Sequence, residues 1–251
     1  MNRQHVPRIF DRRQAAAKWD RARSRQRRGG ASYLVDTMAS DIAERLDFMR
    51  LQPEHALIVG EATGALQASL ASGNTQGKVA LLGQFDEEQP GPHAAFDLIV
   101  HLLGLGMVND LPGALIHARN ALAPGGLLIA AFPGAGSMPM LRRIALEADG
   151  DQPSARMHPL VDNRAATGLL ERAGFGRQVV DTYPVRVRYP SLQRMIGDLR
   201  DHGLTRSLCS PVPPITRRWV ERAETSFDAL REDDGKVVET FEILVLTGWR
   251  D

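Results

Sequence analysis

Apolar and charged positions follow a helical period over the first fifty residues. Residues 8–28 predict a basic helix that closes at Gly29-Gly30 and carries an apolar strip around Trp19. Residues 32–49 predict an amphipathic helix, because apolar side chains recur there every three or four residues. We therefore assign residues 1–50 to an N-terminal helical extension that packs on the body of the protein.

From residue 51 the pattern changes to short, continuous apolar runs separated by helical segments. Such runs predict strands that are buried on both faces, and their alternation with helices predicts a parallel sheet. The predicted strands are residues 56–60, 78–82, 96–100 and 127–132. The predicted helices between them are residues 64–71 and 111–122, and a turn is predicted at 124–126.

The C-terminal part mixes helices with two further strands. A helix is predicted at 162–173, a polar-alternating strand at 178–187, a helical insertion at about 190–231 and a final strand at 239–249. We assign residues 51–251 to one α/β domain that carries this insertion.

The composition is that of an ordinary globular protein. The chain has 251 residues, of which 43% are hydrophobic and 24% are charged, so a mainly disordered chain, a coiled coil and a fibrous protein are excluded. The longest apolar stretch, residues 98–108, is too short to cross a bilayer. The single Cys209 predicts no internal disulfide and no zinc site. We expect a soluble protein of the bacterial cytoplasm or, if it is organellar, of the mitochondrial matrix.

The charge is unevenly distributed along the chain. Residues 1–30 contain ten Lys and Arg against two Asp, whereas the remaining residues contain 21 Lys and Arg against 28 Asp and Glu. A basic arm can bind nucleic acid, anionic lipid or an acidic partner, and it is also typical of an organelle presequence. We favour a helix folded on the acidic body, because Trp19 belongs to an apolar strip. Nucleic acid is the least favoured partner, since no aromatic platform accompanies the arginines.

Three segments resemble the class I S-adenosylmethionine-dependent methyltransferases. Phe96–Val100 resembles the fourth strand of that superfamily, Leu122–Ile129 the turn into its fifth strand, and Arg172–Phe175 the residues before its sixth. The resemblance implies a Rossmann-like sheet, mostly parallel, with residues 239–249 as an antiparallel last strand. It also implies S-adenosylmethionine as the cofactor, bound at the Gly60–Gly64 turn after the first strand.

Within this superfamily the chain resembles the NADH dehydrogenase (complex I) assembly factor 5 family. The shared segments, in chain order, are Ile9–Arg13, Val108–Leu115, Val185–Tyr189, Asp198–Arg200 and Thr240–Ile243. The resemblance implies a protein partner among the subunits or assembly factors of respiratory complex I. It also implies modification of a protein side chain, by methylation or by arginine hydroxylation. The alternative is a non-catalytic assembly or binding module.

The implied cofactor motif is degenerate in this chain. Ile58 stands where the motif has an acidic residue, and Ala62 replaces its middle Gly. If residues 78–82 are the second strand, Gly83 stands where a carboxylate would hold the ribose. A His-aromatic pair expected after the fourth strand reads Gly106-Met107. We therefore expect weak binding of S-adenosylmethionine or none. The acidic run 86–88 could replace the missing carboxylate only if its loop folds back.

The spacing of the strands indicates that one β-α unit is missing. Phe96 follows Gly73 by only 23 residues, which is too few for a second strand, a helix and a third strand. Glu61 could bind the cofactor or cap the following helix. His101 is expected to face the same cleft from the end of its strand, where it could act as a base or be a hydrogen-bonded structural residue. No catalytic residue or metal ligand can be assigned. The candidate cofactor-binding residues are Gly60, Glu61, Ala62, Gly64, Gly83 and His101.

Overall fold

The computed structural model describes residues 8–61, 64–73 and 75–251, which build helices around one six-stranded sheet. The strands are β1 (His55–Val59), β2 (Gln76–Ala80), β3 (Phe96–Leu102), β4 (Leu122–Pro133), β5 (Gln178–Tyr189) and β6 (Val237–Trp249). The helices are α1 (Arg12–Gln26), α2 (Tyr33–Phe48), α3 (Ala65–Ser72), α4 (Leu111–Ala121), α5 (Pro139–Asp149), α6 (Asn163–Arg172), α7 (Leu192–Asp201) and α8 (Arg217–Asp228). Among the described residues, no helix combines the length and the apolar character that a bilayer crossing requires.

The sheet has the strand order β2-β1-β3-β4-β6-β5, and its first four strands are parallel. Strand β6 runs antiparallel between β4 and β5. The strands β1, β3 and β4 lie inside the sheet and are almost wholly buried, as their continuous apolar runs predict. The predicted Rossmann-like fold with an antiparallel last strand is therefore confirmed.

The connection from β2 to β3 is much shorter than a full β-α unit. Residues 81–95, all of which the structure describes, form turns and bends without a helix or a strand. Strand β2 consequently lies at the edge of the sheet, with no further strand beyond it in the described part of the chain. This confirms the prediction that one β-α unit is missing.

Two predictions about β2 are wrong. The strand covers residues 76–80 and not 78–82, and most of its side chains are exposed instead of buried on both faces. An edge strand needs backbone partners on one side only, so the polar Gln76 and Lys78 can pair with β1. The apolar Leu82 lies in the following turn, where it is buried.

Helix α5 and a bulge in β4 also differ from the predictions. Helix α5 was not predicted, since the carboxylate that caps its first turn comes from Glu239, almost one hundred residues away. The predicted turn at 124–126 lies inside β4 as a bulge, because Leu122 pairs with Phe96 while Leu127 pairs with Leu98.

The apolar strip of α1 faces the protein. Ala15, Trp19 and Ala22 are buried, and the indole of Trp19 lies directly on Gly203, just after α7. The backbone N–H of Ala31 donates to the buried Asp201 carboxylate at the end of α7 (3.0 Å). The basic helix is therefore attached along its length to α7 and the sheet edge.

Next to α1, His202 is buried without a hydrogen bond. Its ring is 1% exposed and lies edge-on to Tyr33 at 4.6 Å, and neither ring nitrogen has a partner among the described residues. Burial lowers the pKa of His202 to about 4 from its ordinary 6.5, although Asp201 and Asp36 oppose the shift. His202 is therefore neutral in the folded protein at pH 7.

This burial predicts acid sensitivity. Between pH 6.5 and pH 4 the unfolded chain holds a proton on His202 that the folded chain does not. The free energy of unfolding must therefore decrease as the pH is lowered through this range. At pH 5 this one residue should cost about 2 kcal/mol relative to pH 8. Urea unfolding of wild type and His202→Phe at both pH values measures the effect. The variant should lose about 2 kcal/mol less, and equal losses in the two proteins would contradict the prediction.

Candidate functional site

The candidate site lies where the carboxyl ends of β1, β2 and β3 meet. Gly60 follows β1 with a φ of +92°, and its N–H donates to the carbonyl of Ala80 at the end of β2 (3.1 Å). A Cβ on Gly60 would collide with the carbonyl oxygen of Leu102 at the end of β3. Glycine is therefore required here, because the three strand ends approach one another too closely for a side chain.

Glu61 caps α3. Its side chain is buried, and its carboxylate accepts hydrogen bonds from the backbone N–H groups of Leu66 and Gln67, the latter at 3.1 Å. Gly64, with a φ of +76°, begins the helix, whereas the predicted residue Ala62 lies outside the described residues. Two of the free N–H groups at the start of α3 are thus already held by the protein's own carboxylate.

Gly83 is solvent-exposed, and α1 packs against one side of it. Its φ is +80°, and a Cβ built on it would lie 2.7 Å from the Cα of Ala16. Beside this contact, the Arg23 guanidinium donates to the carbonyl oxygen of Leu82 (2.7 Å). Gly83 therefore contacts the backbone of α1. Because β2 ends at Ala80, however, Gly83 lies three residues beyond the strand, and Leu81 is the residue that follows it.

Among the described residues, which leave out 62 and 63 of the adjoining turn, a small cavity lies between α1 and the strand ends. It measures about 20 Å³, and its walls include Trp19, Gly60, Glu61, Leu82 and His202. A cavity of this size holds about one water molecule, whereas pockets for small ligands measure roughly 300–1,000 Å³. The space and the available polar groups therefore do not fit an adenosyl ligand.

The acidic run 86–88 folds back, but onto α1 and not into this cavity. Arg12 forms ion pairs with Asp86 (2.6 Å) and Glu88 (3.1 Å), and Glu88 also accepts from the N–H of Asp110 (3.2 Å). The third carboxylate, Glu87, lies 3.3 Å from Nε2 of His101. These carboxylates anchor the short loop and the start of α1, so none of them replaces the missing ribose ligand.

His101 lies on a different face of the sheet from the one expected. It lines a second cavity of about 60 Å³ together with Val59 and Ile99, away from Gly60 and Glu61. The ring is 3% exposed, packs edge-on to Phe85, and leaves Nδ1 without a partner among the described residues. The structure therefore does not bring His101 together with the other candidate residues.

Asn109 performs a role that the sequence did not reveal. Its side-chain oxygen accepts from the N–H groups of Ile9 and Phe10, both at 2.8 Å, and its amide donates to the carbonyl of Phe10 (3.2 Å). The neighbouring Asp110 caps α4 by accepting from the N–H of Gly113 (2.9 Å). The segment around Asn109 thus fixes the chain where it enters α1, through contacts about one hundred residues apart in sequence.

A sequence profile for a methyltransferase domain matches residues 20–177. The mitochondrial arginine hydroxylase NDUFAF5 of Danio rerio is 28% identical over 227 residues, which cover 88% of this chain and 66% of the relative. Matches to the mouse and human proteins of that name cover about half of each relative. The chain thus spans between half and two thirds of these curated relatives.

Two further similarities extend over most of the chain. The malonyl-[acyl-carrier protein] O-methyltransferase of Laribacter hongkongensis is 26% identical and covers 96% of this chain and 87% of the relative. The crystal structure of a candidate methyltransferase from Bacillus halodurans has a TM-score of 0.54 at 16% identity, covering 84% of this chain and 99% of that chain. The structural likeness concerns the fold alone. The predicted resemblance to class I methyltransferases and to assembly factor 5 is confirmed.

Because α1 packs on Gly83, adding one methyl group at this residue should strongly lower the free energy of unfolding. Gly83→Ala should lower the free energy of unfolding by about 1–3 kcal/mol more than Gly235→Ala. The control residue shares the left-handed backbone (φ +74°), but no described atom lies within 4 Å of its Cβ position. Urea unfolding measures both losses, and equal losses would show that α1 does not pack on Gly83.

Proposed function

The chain belongs to the methyltransferase-domain family, and on that premise we propose that it is a non-catalytic member, a binding module in the assembly of a protein complex. The observation that carries the proposal is the packing of α1 against Gly83 and over the strand ends, beside the Gly60–Gly64 turn where the family resemblance places the cofactor. Two further features support it: the cavity of about 20 Å³ and the capping of α3 by Glu61.

The free energy needed to displace α1 makes binding of the cofactor less favourable. Room for an adenosyl group requires α1 to leave the strand ends, which exposes Trp19 and Ala22 and breaks the contact of Arg23 with Leu82. Exposing this apolar surface costs on the order of 5 kcal/mol. A ligand that otherwise binds at micromolar concentration, about −8 kcal/mol, would then bind only at several millimolar.

The missing polar groups weaken binding further. Gly83 supplies no side-chain carboxylate for the ribose hydroxyls, and the carboxylates of Asp86 and Glu88 are held by Arg12 and by backbone N–H groups. Two or three lost hydrogen bonds correspond to about 2–5 kcal/mol, or roughly 30- to 3,000-fold in affinity. Together with the cost of displacing α1, this loss moves the dissociation constant of S-adenosylmethionine out of the micromolar range.

The proposed partner is a protein, namely a subunit or an assembly factor of respiratory complex I. Support comes from the similarity to NDUFAF5 and from the family segments found along the whole chain. The surface that we assign to this partner is the helical insertion at 190–231, where Arg217 and Arg218 are exposed on α8. The compartment is the bacterial cytoplasm or the mitochondrial matrix, in keeping with such a partner.

The competing function is modification of a protein side chain, by methylation or by arginine hydroxylation. Similarity to an arginine hydroxylase and to methyltransferases favours it. It requires that α1 moves away from Gly83 so that the cofactor can enter. The two functions therefore differ in whether S-adenosylmethionine binds.

Calorimetric titration with S-adenosylmethionine and S-adenosylhomocysteine separates the two functions. We expect no saturable binding of either ligand up to 1 mM, a concentration that corresponds to only about −4 kcal/mol of binding free energy. A class I methyltransferase with an intact first-strand motif serves as the positive control. A low-micromolar dissociation constant would overturn the non-catalytic assignment.

Affinity capture tests the partner. The tagged full chain should enrich complex I subunits or assembly factors over an untagged control, and replacement of both Arg217 and Arg218 by Glu should reduce that enrichment about tenfold. Arg164→Glu is the matched control, since Arg164 is equally exposed but lies on α6. Failure to enrich any complex I protein, or equal enrichment by all variants, would contradict the proposed partner surface.

A further inference from the structure

A large cavity opens on the other side of α1. It measures about 500 Å³ and lies between α1, α5, α7, α8 and the segment 204–215. Lys18 lines this cavity, whereas its neighbour Trp19 lines the small cavity at the strand ends. Its volume is that of a small-ligand pocket, unlike the space at the strand ends.

One wall of the cavity is apolar. The apolar side chains come from three helices that converge on it, namely Met138, Leu141, Ala145, Ile196, Leu199 and Trp219. Ile215 stands at the margin with 62% of its surface exposed. An apolar surface of this extent gains free energy when a hydrocarbon chain displaces water from it.

The polar part of the cavity is cationic. Its charged residues are Lys18, Arg156, Arg200 and Arg206, and no described Asp or Glu side chain lines it. Arg156 is neutralised by Asp149 at 2.6 Å. The other three form no ion pair with a described carboxylate: Lys18 donates to the carbonyl of Thr205, and Arg206 donates to oxygens of Ala155, Leu208 and Ser210.

The pKa values of Lys18 and His158 are lowered, which agrees with an excess of positive charge around the cavity. Burial lowers the pKa of Lys18, and Arg21 and Arg206 lower it further, against a weaker opposing effect of Asp11. Burial, Lys18 and Arg206 lower the pKa of His158 to about 4. His158 is thus neutral, and its Nε2 accepts a hydrogen bond from the N–H of Ser207 (2.7 Å). An anion is the ligand charge that would relieve this repulsion.

We propose that this cavity binds a single-chain anionic amphiphile. The hydrocarbon chain lies against α5 and α7, and the terminal carboxylate or phosphate meets Lys18, Arg200 and Arg206. Hydrogen bonds from these cations to an ionised oxygen are the strong, charge-assisted kind. Each methylene placed on the apolar wall raises the affinity about fourfold. The site does not depend on the family cofactor, so it stands whether or not S-adenosylmethionine binds.

Calorimetry on the full chain with decanoate and decyl phosphate tests the proposal. One equivalent should bind, octanoate should bind about sixteenfold more weakly than decanoate, and the tighter of the two ten-carbon ligands identifies the head group. The fluorescence of Trp219 should change with the same dissociation constant, and Trp219→Phe should abolish that change. Decanol and decyltrimethylammonium, which lack the negative charge, should bind at least tenfold more weakly.

Variants locate the site. Lys18→Met should raise the dissociation constant of decanoate about tenfold and Arg200→Gln about threefold, because Arg200 is the more exposed cation. Ala145→Phe should fill the cavity and abolish binding. Arg164→Gln on α6 removes the same charge outside the cavity and should change nothing. The proposal fails if decanoate does not saturate the protein at 1 mM, if decanol binds equally well, or if Arg164→Gln weakens binding as much as Lys18→Met.

Discussion

The close packing of α1 on Gly83 determines how the rest of this fold is used. A glycine with a left-handed backbone allows the Cα of Ala16 to approach where any side chain would be excluded. In this position of α1, Trp19 lies above the strand ends, and Arg12 forms ion pairs with Asp86 and Glu88 of the 86–88 loop. The same helix therefore packs over the strand ends and stabilises the shortened edge of the sheet.

The packing of α1 stabilises the part of the sheet from which one β-α unit is missing. Without that unit, β2 is an edge strand and the residues after it form a loop. The loop is held by Arg12 from α1 and by the N–H of Asp110, while Asn109 holds the chain ahead of α1. Contacts between the N-terminus and the centre of the chain thus replace contacts that a further strand and helix would have supplied. A cavity of about 500 Å³ lies on the opposite side of α1.

The sequence predicted features that depend on local pattern and missed those that depend on distant partners. Continuous apolar runs located β1, β3 and β4, and the spacing between Gly73 and Phe96 indicated the missing unit. The packing of Ala16 on Gly83 could not be predicted, because no sequence pattern around either residue indicates a contact between them. Helix α5 was missed for the same reason, as its cap is Glu239 on β6. His101 was placed on the wrong face, because the run around it is apolar on both faces and carries no alternation.

Hydrogen–deuterium exchange gives the most direct test of the central claim, that α1 holds the cofactor position closed. Backbone N–H groups of α3 and of residues 81–84 border that position and should be protected whenever a ligand enters it. With S-adenosylhomocysteine at 1 mM, the account predicts unchanged exchange in both segments and in α1. Slower exchange at α3 and 81–84 with faster exchange in α1 would contradict it, because the ligand would then have displaced the helix.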